Sequence, residues 1–216
     1  MSEALGAGQI LGRTLALLRQ GWVRAAVSLA LLTLLAGLSD ARVVDEANAG
    51  ALDLFQMAVT IAANYWVIKK LLEEARGHAL PARFGPFFGL GVLSAIGIGL
   101  GLVVLVVPGL VLLVRWSASD PILLDGDDGV IESLQRSWRL TGPSFWPIFV
   151  TFLAIWGSAI AIALLGFLLN EVVGQEAYFV VLADLAYEGA LILGWHAAVA
   201  IYSLLERSQL LAETFA

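Results

Sequence analysis

The most constraining feature of this chain is a stretch of 28 residues, Phe87 to Val114, that contains no charged residue. Its one side-chain hydroxyl belongs to Ser94, and it ends just before Arg115. About 20 helical residues span the hydrocarbon core of a bilayer, which is about 30 Å thick. The stretch therefore predicts a membrane protein, and it is too long for one ordinary crossing. Within it, Gly97 and Gly101 have the spacing that lets two helices approach closely.

The composition of the whole chain agrees with a place in the membrane. Of the 216 residues, 60% are apolar and 14% are charged, and the mean hydropathy is +0.88. A soluble domain of this length needs far more polar surface. The net charge is −6, and the sequence has no basic tail or patch, so we do not expect a nucleic-acid partner.

Few residues of this chain are suited to catalysis or metal binding. There is no cysteine, and His78 and His196 are the two histidines, so we expect neither a metal site nor a cofactor. The sequence contains no nucleophile elbow, phosphate-binding glycine loop or HExxH helix. We therefore expect that the protein is not an enzyme.

The apolar runs predict an all-α transmembrane bundle, a single integral membrane domain over residues 1–216. Four membrane segments fall in 22–124 and two in 145–205. The six predicted segments are Trp22–Leu38, Leu52–Leu72, Phe87–Val107, Gly109–Leu124, Phe145–Leu169 and Tyr178–Leu205. Pro121 is expected to kink the fourth segment.

The basic residues indicate how the fourth segment is folded. With six crossings, ten of the twelve lysines and arginines lie on the side of the N-terminus, Arg42 lies on the other side and Arg115 lies within the membrane. With a single crossing through Phe87–Val114, seven of the twelve basic residues lie on one side of the membrane and five on the other. Cytoplasmic loops carry most of the basic residues, so we expect a paired third and fourth segment and both termini in the cytoplasm. Six crossings, and four crossings with a re-entrant hairpin near Pro108–Gly109, both fit.

Two stretches, 3–20 and 128–140, are predicted to form amphipathic helices on the cytoplasmic interface. Their apolar faces consist of Leu11, Leu15 and Leu18 in the first and Ile131, Leu134 and Trp138 in the second. The residues predicted to contact lipid are Arg13, Arg19, Arg136, Trp138 and Arg139. Packing of these faces against protein is an equally good interpretation. Asp127 or Asp128 is expected to cap the second helix.

The two amphipathic stretches also resemble each other. Residues 11–17, LGRTLAL, align with residues 134–140, LQRSWRL, and a membrane segment beginning near Trp22 or Trp146 follows each of them. This indicates an internal duplication of an interfacial helix and a helical hairpin. Both copies then begin on the same side of the membrane, which again requires the third and fourth segments to be paired.

Charged residues within the predicted segments form a candidate intramembrane site. An arginine at the centre of a membrane helix costs about 2.5–3.5 kcal/mol on insertion scales, so Arg115 needs a carboxylate, backbone carbonyls, water or a lipid phosphate. Asp184 and Glu188 are candidate partners, because residues four apart share one helix face, and Asp120 is a further candidate. The site could bind an ion, a proton or an anionic substrate, or it could be an internal ion pair that fixes the packing.

Three motifs resemble a known group of proteins. They are VPGLVLLVRW at 107–116, DPILLD at 120–125 and ESLQRSWRLT at 132–141, and Tyr202 near the end of the chain is also similar. The chain resembles the YciC-like inner-membrane proteins of bacteria and the membrane domain found beside glycerophosphoryl diester phosphodiesterases. The resemblance implies a bundle of about six helices in the bacterial inner membrane, and it supplies no catalytic residues.

From these observations we expect a multi-pass membrane protein that acts as a non-catalytic accessory or scaffold subunit and binds lipid or a larger membrane complex. The alternative is a small transporter or channel that uses the intramembrane arginine–carboxylate site. Membrane lipids are the expected partners, and formation of a homo-oligomer stays open.

Overall fold

A computed structural model of the chain describes the backbone of residues 5–40, 46–173 and 176–214, and the side chains of 5–38, 50–169, 179–210 and 214. This described part consists of helices and the short turns between them. The helices are α1 (Ala7–Gln20), α2 (Trp22–Asp40), α3 (Glu46–Arg76), α4 (Phe84–Val104), α5 (Val106–Arg115), α6 (Ser119–Asp125), α7 (Val130–Thr141), α8 (Phe145–Val173) and α9 (Glu176–Thr214).

Five parts of the described chain are long and apolar enough to cross a membrane. They are Gly50–Arg76, Phe84–Val104, Val106–Asp125, Phe145–Leu169 and Phe179–Leu210. A sixth arises where α1 and Trp22–Leu38 are taken together, although the chain turns by 86° between them. The predicted all-α transmembrane architecture is thus confirmed. Because of the 86° turn, α1 lies nearly perpendicular to α2, as a helix on the membrane surface does.

Both amphipathic helices begin later than predicted. Gly6 has an extended backbone and its N–H donates to Gln9 Oε1 at 3.1 Å, so α1 begins at Ala7 rather than at residue 3. Helix α7 begins after Gly129, and neither predicted aspartate caps it. The carboxylate of Asp128 instead accepts a hydrogen bond from Arg136 further along α7. Residues 3 and 4, and Arg42 of the charge count, lie outside the described residues.

The charge-free stretch folds back on itself at Leu105. This residue has an extended backbone (φ −153°, ψ 125°) between α4 and α5, which pack against each other as an antiparallel hairpin. The turn therefore comes three residues before the predicted Pro108–Gly109. Pro108 lies instead in the first turn of α5, where a backbone N–H has no helical acceptor and proline is tolerated. The predicted pairing of the third and fourth segments is confirmed.

Small residues bring the two arms of this hairpin together, as their spacing predicted. A Cβ atom placed on Gly101 would lie 2.8 Å from the Cα and N atoms of Gly109, and a Cβ on Gly97 would lie 2.6 Å from the ring of Trp116. Any larger residue would separate the arms or displace the ring.

The fourth segment is interrupted at a different place from the one predicted. Helix α5 ends at Arg115 and α6 begins at Ser119, whose N–H donates to the Trp116 carbonyl at 3.0 Å. Pro121 is the third residue of α6, so its missing N–H breaks no helical hydrogen bond. The predicted interruption is therefore present, but it lies one turn before Pro121, around Ser117, whose carbonyl the proline ring would meet in a continuous helix.

Burial in α1–α2 and in α7–α8 supports the predicted duplication. Five pairs of positions 123 residues apart, the offset of the aligned stretches, are buried in both copies. These pairs are Ile10 and Ser133, Thr14 and Ser137, Ala25 and Ile148, Ser28 and Thr151, and Leu32 and Ile155. Leu15 and Trp138, which also align, are 49% and 40% exposed. The two halves thus contact the bundle through equivalent faces.

Replacing Gly101 by alanine should destabilise the hairpin. The added Cβ would meet the backbone of Gly109, which cannot move aside as a flexible side chain does, and we expect a loss of about 1–3 kcal/mol. Gly99→Ala in the same helix is the control, because a Cβ there meets nothing within 4 Å. Thermal unfolding in detergent measures both variants, and equal midpoints would contradict the close packing.

Candidate functional site

The face of α7 that packs against the protein is lined by hydroxyl groups. Ser133, Ser137 and Thr141 are fully buried. The Oγ atom of Ser137 donates to the Arg115 carbonyl at 2.7 Å. The Oγ1 atom of Thr141 donates to the Ser137 carbonyl at 2.8 Å and lies 3.2 Å from the Arg115 carbonyl. The N–H of Ala118 in turn donates to Ser137 Oγ at 3.2 Å. These side chains satisfy backbone groups left without helical partners between α5 and α6, and so attach α7 at that interruption.

Two of the three residues on the predicted apolar face of α7 point away from the protein, whereas the third, Leu134, is buried in the core. Ile131 is 51% exposed, and Trp138 is exposed as well. Between this face and α4 lies an apolar groove of about 440 Å³, which we call the α7 groove. It is lined by Leu93, Trp116, Ile131, Leu134, Gln135, Trp138 and Arg139. This arrangement combines the two interpretations of the amphipathic pattern, because Ile131 and Trp138 face outward while Leu134 packs against protein.

Helix α1 has a similar arrangement on the other half of the molecule. Its buried residues are Ile10, Thr14 and Leu17. Leu15, on the predicted apolar face, is exposed, and so are Arg13 and Arg19, which were predicted to contact lipid. Helix α1 therefore packs on the bundle through a face next to the predicted apolar one.

Arg115 lies at the end of α5, against α7 and the start of α8. Its Nη1 atom donates to the Trp138 carbonyl at 3.1 Å. The guanidinium carbon is 5.0 Å from the centre of the Trp138 ring and 5.7 Å from that of Phe145, so two aromatic faces surround the cation. Its Nε atom is buried without a hydrogen-bond acceptor. Among the side chains that the structure describes, none forms an ion pair with Arg115.

The antiparallel pair α8 and α9 shows how far Arg115 is from the predicted carboxylates. Arg115 lies beside Phe145, the first residue of α8. Trp156 lies eleven residues further along α8, which is about 16 Å of helix. The ring of Trp156 is 5.7 Å from that of Tyr187 on α9, the residue just before Glu188. No arginine side chain bridges such a separation.

The structure therefore does not bring Arg115 together with Asp184 and Glu188. Glu188 is 2% exposed and is hydrogen-bonded to Gln56 of α3, while its Oε2 atom has no hydrogen-bond partner among the described residues. Asp120 lies in α6 and accepts a hydrogen bond of 3.4 Å from Asn64 of α3. Arg115, Asp120 and the neighbouring pair Asp184 and Glu188 belong to three separate environments, and they do not form one intramembrane site.

A polar network that sequence reasoning missed joins the ends of α3, α6 and α9. The Nε atom of Arg76 donates to Asp125 Oδ1 at 2.9 Å, and its Nη2 atom donates to Glu206 Oε1 at 2.6 Å. The hydroxyl of Tyr202 donates to Asp125 Oδ2 at 2.7 Å. Asp125 and Tyr202 belong to the motifs that resemble the YciC-like proteins, and this resemblance was the one sequence feature that pointed to the network. The sequence around Arg76 does not indicate which residues it pairs with.

This network shows that α1 and α7 lie on one face of the bundle, which we call the α1/α7 face. A pocket of about 180 Å³ separates α1 from the network, with Arg13 on one side and Arg76 and Tyr202 on the other. Asp125 of the same network ends α6, and a short loop leads from it to α7. Arg83 fastens that loop by donating to the Asp128 carbonyl at 2.7 Å.

No protein family, curated protein or solved structure matches this chain. The resemblance to the YciC-like proteins therefore stays a prediction, and the function has to be argued from the geometry of the α1/α7 face.

Replacing Tyr202 by phenylalanine should destabilise the fold by about 1–2 kcal/mol, because the buried Asp125 carboxylate loses a hydrogen-bond donor. Tyr187→Phe is the matched control, because that side chain is 54% exposed. Thermal unfolding in detergent compares the two variants. If they unfold at the same temperature, the Tyr202 hydroxyl does not help to hold the ends of α6 and α9 together.

Proposed function

We propose that this protein is a non-catalytic integral membrane protein that binds a phospholipid in the α7 groove and serves as an accessory or scaffold component of the bacterial inner membrane. One observation carries the proposal: α7 packs on the protein through serine, threonine and Leu134, and leaves Ile131 and Trp138 exposed beside an apolar groove. An apolar surface of this kind is stable where lipid chains cover it.

Tryptophans support placing the α1/α7 face at the boundary between lipid and water. Trp116 and Trp138 line the α7 groove, and Trp22 and Trp146 mark the starts of α2 and α8 with 65% and 70% of their surface exposed. Tryptophan is enriched at this depth of a bilayer, because its ring is apolar while its N–H needs a polar partner.

The basic residues favour the cytoplasmic side for this face. Arg13 and Arg19 of α1 and Arg136 and Arg139 of α7 all belong to it, and cytoplasmic segments near membrane helices carry an excess of such residues. Both termini then lie in the cytoplasm, as the charge count predicted. The lipid bound in the groove is accordingly one of the cytoplasmic leaflet.

The transporter alternative is left without its proposed site, because Arg115 and the carboxylates of α9 lie about 16 Å apart in depth. We do not propose it further. The binding of a larger membrane complex stays a prediction, because the groove is evidence for a lipid partner and not for a protein partner.

Replacing Ile131 by serine should lower the amount of phospholipid that stays bound after purification in detergent. The change removes apolar surface from the exposed edge of the groove, and we expect a several-fold loss of retained lipid, measured by native mass spectrometry. Leu15→Ser is the control, because Leu15 is equally exposed on an amphipathic helix and lies outside the groove. Equal retention by the two variants would mean that the groove is not a lipid site.

A further inference from the structure

Arg115 lies on the α1/α7 face, where several other arginines form ion pairs. Arg24 pairs with Glu74, Arg76 pairs with Asp125 and Glu206, and Arg136 pairs with Asp128. Arg115 has only one carbonyl and two aromatic rings as partners within the described residues. A cation at the edge of the hydrocarbon needs a stronger partner than these, and an anion supplies it.

The position of the Arg115 guanidinium is fixed before any ligand arrives. The rings of Trp138 and Phe145 hold it on two sides. A Cβ atom on Gly142 would lie 2.6 Å from its Nη1 atom, so the absence of a side chain at that position makes room for it. A cation that is held in place in this way loses little conformational entropy when it binds an anion.

The fixed cation borders the α7 groove. Trp138 is shared, because its ring packs on Arg115 and also lines the groove. Arg139, the next residue, lines the groove as well, is exposed, and forms no ion pair with any described side chain. Two arginines, neither of which forms an ion pair with a described carboxylate, therefore flank one tryptophan where the apolar groove meets the polar surface.

We infer that Arg115 and Arg139 bind the phosphate of a phospholipid headgroup whose acyl chains occupy the α7 groove. This inference rests on the proposed function and adds the headgroup chemistry to it. The planar guanidinium group matches phosphate oxygens with two parallel hydrogen bonds, and the apolar groove accounts for the chains of the same molecule. The complementarity of both charge and apolar surface identifies a lipid as the occupant.

The test compares two lipids with the same acyl chains, phosphatidylglycerol and diacylglycerol, which differ in the phosphate headgroup. The protein is exchanged into nanodiscs that contain both at equal concentration, and the ratio of the bound lipids is read by native mass spectrometry. We expect the wild-type protein to favour phosphatidylglycerol, and we expect Arg115→Gln to lower that ratio about tenfold, as the loss of a charge-assisted hydrogen bond predicts.

Arg139→Gln keeps the test decisive if Arg115→Gln fails to fold, because the Arg139 side chain is exposed and its loss leaves the packing unchanged. It should lower the ratio by a smaller factor, and Arg207→Gln, at an exposed position of α9 outside the groove, should leave the ratio as in the wild type. A wild-type ratio near one, or an unchanged ratio in both Arg115→Gln and Arg139→Gln, would overturn the inference while lipid retention persists. Loss of all bound lipid in the wild type would instead overturn the proposed function.

Discussion

The reversal of the charge-free stretch at Leu105 determines where everything after it lies. A segment too long for one crossing has to turn, and here it turns where Gly101 and Gly109 allow two helix backbones to touch. The return arm then brings Arg115 and α6 back to the face where α4 began. Without this hairpin, α7 would lie on the face opposite to α1, and Asp125 could not reach Arg76 and Tyr202.

The interruption between α5 and α6 links this hairpin to the candidate site. A broken helix leaves backbone groups without partners, and inside a membrane protein those groups have to be satisfied by side chains. Ser137 does so for the Arg115 carbonyl and the Ala118 N–H, which fixes α7 with its hydroxyl face inward. The exposure of Ile131 and Trp138 and the position of the Arg115 guanidinium against α7 are therefore two consequences of one packing arrangement.

Much of the architecture could be predicted, because it follows from periodicity and charge. Local sequence patterns indicate the apolar runs, the amphipathic helices and the duplication. The count of basic residues on each side of the membrane indicates the pairing of the third and fourth segments. The face of α7 that packs inward could not be predicted from the sequence. Hydrophobicity alone would bury Ile131 and Trp138, but hydroxyl groups are buried there, because the Arg115 carbonyl has no helical partner and accepts a hydrogen bond from Ser137. Sequence spacing also does not show how far along its helix each residue lies relative to the neighbouring helices. For this reason the pairing of Arg76 with Glu206 and the separation of Arg115 from Glu188 could not be predicted.

The side of the membrane on which α1 and α7 lie tests this account most directly. The chain has no cysteine, so single cysteines at Gly12 in α1, Glu132 in α7 and Ala51 near the start of α3 can be labelled with a membrane-impermeant maleimide in sealed vesicles of one orientation. The hairpin predicts that Gly12→Cys and Glu132→Cys react from the same side and Ala51→Cys from the opposite side. Reaction of Gly12→Cys and Glu132→Cys from opposite sides would contradict it.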